Sequence, residues 1–174
     1  MPLKKIFTSG NKAKNITRCL VIRVTANDRT VGISSVDPSS RAIHPDTAEA
    51  LDETISKRIR PILIGENPTN INRILDLIKP LTEKQLGARA GLELACIDLT
   101  CKHLQISICD YLGGAVAKKV LFNGWVGELP PDEAVLEAMD WQNSGFRSLK
   151  IKVGSNTEQD IERIIAIREA VGPN

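Results

Sequence analysis

Leu20, Ile22 and Val24 alternate with Val21, Arg23 and Thr25, which is the spacing of a strand. Asn27-Asp28 supplies turn chemistry, and Thr30 to Val36 returns as a second strand, so residues 1–36 read as a loop followed by a hairpin. After Asp37-Pro38-Ser39-Ser40, the period changes from two to between three and four. Ala48, Leu51, Ile55 and Ile59 form one apolar stripe behind Pro45, Asp46 and Glu49, and Pro61 is read as its stop. A second helix is expected from Asn67-Pro68, with Ile71, Ile74, Leu75 and Ile78 on one face, ending before Pro80. A third runs from about Glu83 to His103. Its face of Ala88, Gly91, Leu92, Ala95, Cys96 and Leu99 is rich in small residues and admits close approach of another backbone. Tyr111-Leu112-Gly113-Gly114 closes this half.

Beyond Gly114 the order becomes strand (Val120–Val126), helix (from Pro130-Pro131 to about Asn143), strand (Ser148–Val153) and helix (Ile161, Ile164, Ile165 and Arg168, stopping at Gly172-Pro173). Short links between such elements imply parallel strands with right-handed crossovers. The boundary between the two grammars lies near Gly113–Lys119, giving domains 1–114 and 115–174. Two parallel strands do not make a stable sheet alone, because such sheets are buried on both faces. A full (β/α)8 barrel needs about 250 residues. The topology therefore reads as cut short at its C-terminal end.

The 174 residues are 42% hydrophobic and 25% charged, an ordinary globular composition. A net charge of +2 and only 3% aromatic residues argue against a nucleic-acid partner, which would call for a basic face or stacking platforms. No apolar run approaches a membrane span, and the N-terminus has no apolar signal core. Residues 1–27 carry Lys4, Lys5, Lys12, Lys14, Arg18 and Arg23 without an acid, read as a basic loop leading into a strand. Cys19, Cys96, Cys101 and Cys109 have no metal or redox spacing and read as buried or half-buried free thiols in the cytoplasm. His44 reads as a loop residue and His103 as a capping or surface residue. Asp98 reads either as a buried acceptor or as a solvated acid.

The most informative segment is Ser148-Leu149-Lys150-Ile151-Lys152-Val153-Gly154. Side chains alternate along a strand, so Lys150 and Lys152 share one face while Leu149, Ile151 and Val153 share the other. In a βα layer the apolar face meets the helices, so the lysines point to the opposite side, which in a closed barrel is the interior. Two like charges at neighbouring same-face positions repel, and burial adds to this; both effects favour a neutral amine able to act as a general base. K-x-K alone is a weak motif. Its plain reading is an amphipathic edge strand with solvated lysines.

Three stretches together say more. Ala88-Arg89-Ala90-Gly91-Leu92-Glu93-Leu94-Ala95-Cys96-Ile97-Asp98-Leu99, with the later Tyr111-Leu112-Gly113-Gly114, resembles the third capping-domain helix and following L-G-G of the mandelate racemase/muconate lactonizing enzyme family, within the enolase superfamily. Gly145-Phe146-Arg147-Ser148-Leu149-Lys150-Ile151-Lys152-Val153-Gly154 resembles its second barrel strand. Asp160-Ile161-Glu162-Arg163, through Ile167-Arg168-Glu169-Ala170-Val171-Gly172-Pro173, resembles the helix after it. The resemblance is collinear over nearly the whole chain. It implies an α+β capping domain of a hairpin and three helices, followed by the first βαβα units of a truncated (β/α)7β barrel. It also implies Mg²⁺-assisted removal of the proton next to the carboxylate of a small substrate, through an enediolate. By this carry-over Lys152 is the base and Lys150 its electrostatic partner. Pro2–Asn11 and Val36–Pro45 match the two loops that close over substrate. Racemases, epimerases and cycloisomerases all fit, and lyases or dehydratases are compatible. The full-length enzyme is expected to be a cytoplasmic homo-oligomer.

Several positions depart from the family pattern. The metal-binding carboxylates and second catalytic group belong to later strands, beyond Asn174, so no metal ligand is expected in this chain and the fragment alone is expected to be inactive. The family's first strand would precede Pro2. Gly32-Ile33-Ser34-Ser35 stands where G-x-G-E is frequent, Ile97 where Trp is frequent, and Cys101 where Gly is frequent. The alternatives are a non-catalytic remnant, an isolated capping domain that binds a partner, or an independent small α+β binding protein.

Overall fold

The computed structural model describes residues 2–8, 13–38 and 46–173. The chain divides into two compact units, Arg18–Val116 and Met1–Thr17 together with Ala117–Asn174. Residues 1–17 group with the second unit, whereas the sequence pattern places them with the first.

In the first unit, β3 (Leu20–Thr25) and β4 (Val31–Val36) pair antiparallel, from Leu20 opposite Val36 to Thr25 opposite Val31. The turn is held by Asp28, whose carboxylate accepts the Thr30 N–H at 2.8 Å. Ile22 is buried, with Leu20, Val24 and Val36 packed against the same core, as the alternation predicts. The long α4 (Leu86–Leu104) lies across this face. Close approach is possible because Gly91 has no side chain: a Cβ there would stand 2.6 Å from both Ile22 Cδ1 and Val36 Cγ2. Ser34, at the departure from G-x-G-E, donates its hydroxyl to the Gly91 carbonyl at 2.6 Å, so the extra side chain is absorbed by a hydrogen bond. Ile59, Ile78, Leu92 and Ala95 complete the core.

The edge of β4 is covered by side chains of α4. Asp98 accepts the Ile33 N–H at 2.8 Å, and Lys102 Nζ reaches the Val31 carbonyl at 2.9 Å and Asp98 at 2.6 Å. Asp98 is thus a half-buried acceptor held between two donors, intermediate between its two sequence readings. His103 is exposed and lies 3.3 Å from Asp28 through Nδ1.

Two helix boundaries set by proline are corrected. The first helical segment is α1 (Ala48–Glu53), capped by Thr47, then a π-helical stretch Thr54–Ile59, then α2 (Arg60–Leu63). Pro61 does not end the run. It sits in the first turn of α2, where a missing N–H costs little. In the π stretch the Arg60 N–H reaches back to the Ile55 carbonyl. Similarly, α3 (Ile71–Thr82) begins behind the Asn70 cap and carries Pro80 within its last turn. Asn67 forms a separate turn by accepting the Thr69 N–H at 3.0 Å. A short α5 (Ile108–Tyr111), capped by Ser107, is an element the hydrophobic pattern did not predict.

In the second unit, β1 (Pro2–Thr8) and β2 (Ala13–Ile16) form an antiparallel pair with a register shift between Pro2 and Phe7. The basic loop expected there is corrected to strand: the lysines flank Ile6-Phe7-Thr8, residue types that favour extended backbone. β5 (Gly124–Val126) and β6 (Leu149–Ile151) pair parallel, joined through α6 (Pro131–Asn143), and α7 (Thr157–Val171) follows β6. Both strands are shorter than the sequence pattern, and Val120, Leu121 and Phe122 are exposed rather than part of β5. Val126, Ala134, Ala138 and Ile167 form the core, with Leu149 and Ile151 packed against it. Gly124 is required by α6: a Cβ there would stand 2.7 Å from Trp141 Cβ. Trp141 in turn donates Nε1–H to the Trp125 carbonyl at 2.8 Å.

The isoleucines that mark α7 in the sequence are not its inward face. Ile161, Ile164 and Ile165 are exposed, whereas Asp160, Arg163 and Ile167 are buried. A buried ion pair, Asp160 and Arg163, stands beside Ile167 on the inward face of the helix.

Candidate functional site

The ladder fixes how the lysine pair is presented. Gly124, Trp125 and Val126 stand opposite Leu149, Lys150 and Ile151. Val126 and Ile151 belong to the side packed against the helices. By alternation, Trp125, Lys150 and Lys152 occupy the opposite face. Lys150 is exposed and Lys152 half-buried. Lys152 directly follows the last residue of β6, and its N–H donates to the Val126 carbonyl at 3.0 Å, which prolongs the pairing by one residue.

The chain around Lys152 is held on its other side as well. Arg163 Nη1 donates to the Lys152 carbonyl at 3.2 Å, and Arg163 Nε to the Leu129 carbonyl at 2.5 Å. The same Nη1 contacts Asp160 Oδ1 at 2.6 Å, while Asp160 Oδ2 accepts the Gly154 N–H at 2.7 Å. The Gly154 N–H, and then the Arg163 guanidinium, hold the Asp160 carboxyl below the ordinary aspartate range. Gly154 has φ of +128°, a conformation that favours glycine, and a bend follows at Ser155 just after the lysine pair. Sequence reasoning quoted Asp160 and Arg163 only as part of a resemblance. The available signal was an acid and a base at i and i+3 in register with Ile167.

Among the described residues, no group of three or more His, Cys, Asp or Glu side chains could hold a metal ion. Asp160, the carboxylate tied to this turn, is already engaged by Arg163 and Gly154. These residues do not fit a Mg²⁺ site. Of the two segments expected to close over substrate, Pro2–Thr8 is strand rather than loop, and residues 9–11 lie outside the described residues. Of Val36–Pro45, residues 39–45 also lie outside them, including His44.

Residues 2–113 match the model of the mandelate racemase / muconate lactonizing enzyme N-terminal domain. The chain belongs to the mandelate racemase/muconate lactonizing enzyme family. It is similar to the N-succinyl-L-Arg/Lys racemase of Bacillus cereus, with 25% identity over 172 residues, covering 99% of this chain and 46% of the racemase. The crystal structure of that racemase superposes with a TM-score of 0.93 over 98% of this chain and 46% of the other. It is also similar to the hydrophobic dipeptide epimerase of Enterococcus faecalis, 31% identical over 170 residues, or 98% of this chain and 47% of the epimerase. A structure of dipeptide epimerase from that organism, with Mg and the dipeptide L-Leu-L-Tyr, gives a TM-score of 0.91 at 30% identity over 98% of this chain and 48% of that one. The chloromuconate cycloisomerase of Cupriavidus necator is 27% identical over 180 residues, covering 98% of this chain and 46% of the cycloisomerase.

The chain thus spans about half the length of the curated relatives it matches. Its fold is that of the N-terminal half of enolase-superfamily enzymes, a capping domain with the opening strands and helices of the domain that follows. No helix among the described residues is long and apolar enough to cross a membrane.

Proposed function

We propose that this chain is the N-terminal part of a racemase, epimerase or cycloisomerase that removes the proton next to a carboxylate, with Lys152 as the base and Lys150 as its electrostatic partner. The observation that carries the reading is the presentation of both lysines on the face of β6 turned away from its helices, with Lys152 at the strand's C-terminal end. In β/α barrels the chemistry gathers at that end. A neutral Lys152 amine takes the α-proton, and the electron pair of the broken C–H bond moves into the carboxylate as an enediolate. The dianionic enediolate then lies beside the ammonium of Lys150 and the new ammonium of Lys152, where positive charge stabilises it. Return of a proton to the opposite face inverts the centre and needs a second group from the remainder of an assembled enzyme.

The relatives' names support a small carboxylate substrate such as an N-acylated amino acid or a dipeptide. The substrate-closing role of Pro2–Asn11 and Val36–Pro45 remains part of this proposal. Four free cysteines support a reducing, cytoplasmic setting.

The test is a chimera in which this chain replaces the matching half of the Enterococcus faecalis epimerase. Exchange of substrate α-protons with deuterated solvent is followed by NMR over a panel of dipeptides and N-succinyl amino acids. Exchange is expected, and Lys152→Ala is expected to abolish it without unfolding the protein. Wild-type exchange by Lys152→Ala for every stereoisomer would remove Lys152 as the base. A second reading, a non-catalytic binding module, draws on the separate core of Arg18–Val116. It predicts a folded chimera that exchanges nothing.

A further inference from the structure

We propose that the buried Asp160–Arg163 pair is a positioning device that carries the exits of β5 and β6 as one piece and thereby fixes where Lys152 presents its amine. The proposal rests on the reading of Lys152 as the base.

Arg163 and Asp160 are only 2% and 8% exposed. A buried ion pair is a poor way to add stability, because desolvation offsets much of the attraction and a well-packed apolar pair does as well or better. What a guanidinium adds is direction: a rigid planar fork of donors that holds several acceptors at fixed angles. Arg163 spends its fork on two main-chain carbonyls and one carboxylate. Leu129 lies in the segment leaving β5, Lys152 in the segment leaving β6, and Asp160 on its own helix. Asp160 then uses its second oxygen on the Gly154 N–H. The two strand exits are therefore joined through one side chain of α7.

Lys152 is the residue most constrained by this arrangement. Its N–H is bonded to Val126 and its C=O to Arg163, so both peptide groups flanking its Cα are tied. With those planes fixed, the direction of the Cα–Cβ bond is fixed. A long lysine side chain reaches a defined point only if its root does not rotate, and sites held by such supporting contacts keep their geometry where unsupported ones drift. Lys150 stands within the ladder and does not need this support.

The experiment uses the full 174-residue chain and no substrate. Carbon-detected NMR follows the carbonyl resonances of Leu129 and Lys152, amide exchange follows Lys152 and Gly154, and lysine labelled at Cε reports Lys150 and Lys152 separately. In Arg163→Met, both carbonyl signals are expected to move together and the two amides to exchange about ten-fold faster or more, as for a locally opened segment. The Lys152 Cε signal should broaden or split while that of Lys150 stays in place. Arg163→Lys keeps the charge and its attraction to Asp160 but lacks the fork. It should fail to restore the wild-type signals, a result that a purely electrostatic or packing role would not give. If Arg163→Met unfolds the unit, Asp160→Asn keeps the shape and removes the charge; faster Gly154 exchange with a displaced Lys152 signal is then expected. Wild-type spectra for Arg163→Lys, a response at only one strand exit, or an unmoved Lys152 signal in all three variants would overturn the proposal. Because the base role is decided separately by α-proton exchange in Lys152→Ala, either idea can fail without the other.

Discussion

Gly32 lies so close beneath α4 that a Cβ on it would stand 2.0 Å from the Ala95 carbonyl oxygen and 2.7 Å from Leu99 Cβ. The obstacle is backbone, which cannot swing aside as a side-chain tip can. Gly32→Ala is expected to destabilise the Arg18–Val116 unit by about 1–3 kcal/mol, the usual cost of overpacking a filled interface. The change in midpoint of urea unfolding checks this. Gly65→Ala makes a useful contrast: nothing lies within 4 Å of the added carbon, so any cost there comes from its φ of +88° alone.

The Asp98 bridge to the edge of β4 should be sensitive to acid. Lys102, and then the Ile33 N–H, hold the Asp98 carboxyl below the ordinary aspartate range. Its folded pKa is therefore depressed, so its contribution is present above the unfolded value and is lost as pH falls from about 4 through the folded value. Exchange of the Ile33 amide, compared with that of Ile22 as an interior reference, should quicken on acidification through this window. Asp98→Ala should show the faster exchange already at neutral pH.

The four thiols should separate into two classes. Cys19 and Cys109 are exposed, while Cys96 and Cys101 are buried. Burial, with the nearby Glu93 charge, pushes the Cys96 thiol up to about 11, which leaves little thiolate at neutral pH. A colorimetric thiol reagent is expected to titrate two groups promptly and the other two only with unfolding. Prompt reaction of Cys96 would show that α4 opens from the hairpin.

Amide exchange should distinguish the two units. β5 and β6 have three residues each, pair only with one another among the described residues, and border a groove of about 900 Å³ lined by Phe146, Leu149, Ile151, Ile164 and Ile167. Parallel strands depend on burial of both faces. Residues 117–173 are expected to show weaker protection than residues 18–116. Equal protection would mean that association covers the second unit.

Calorimetric titration of this chain with Mg²⁺ is expected to show no stoichiometric micromolar site. The basis is chemical: Asp160, the acid tied to the turn after the lysine pair, is engaged by Arg163 and the Gly154 N–H, and hard divalent cations need several free oxygen ligands. A one-to-one micromolar site would overturn this account of the carboxylates.

The elements that sequence reasoning located were those whose local pattern agrees with their final burial. Leu20, Ile22 and Val24 alternate and face the core, and the small-residue face of α4 is the face that meets the hairpin. Lys150 and Lys152 could be placed on the face away from the helices because Leu149 and Ile151 left no other choice. Elsewhere tertiary context prevailed. Pro61 and Pro80 look like stops, yet one opens a short helix and the other fits within a last turn. On α7 the residues turned inward beside Ile167 are a charged pair, Asp160 and Arg163, and Arg163 is bonded to main-chain carbonyls distant in sequence. No window of neighbouring residues contains that information.

The wide turns at Thr54–Ile59 give the first helical run slack. Leu51, Ile55, Ile59 and Leu63 recur every fourth position, and in an unbroken α-helix of 3.6 residues per turn such a row winds steadily around the axis. A stretch bonded from i to i+5 takes more residues per turn and absorbs that winding. Ile55, Ile59 and Leu63 can therefore stay against one core, and Leu51 at the start of the row is fully enclosed as well. Removing one residue from this stretch, such as exposed Ser56, would tighten the coil to its regular pitch and turn Ile59 and Leu63 out of line with Leu51. The segment thus tolerates residue exchange more readily than a change in its length.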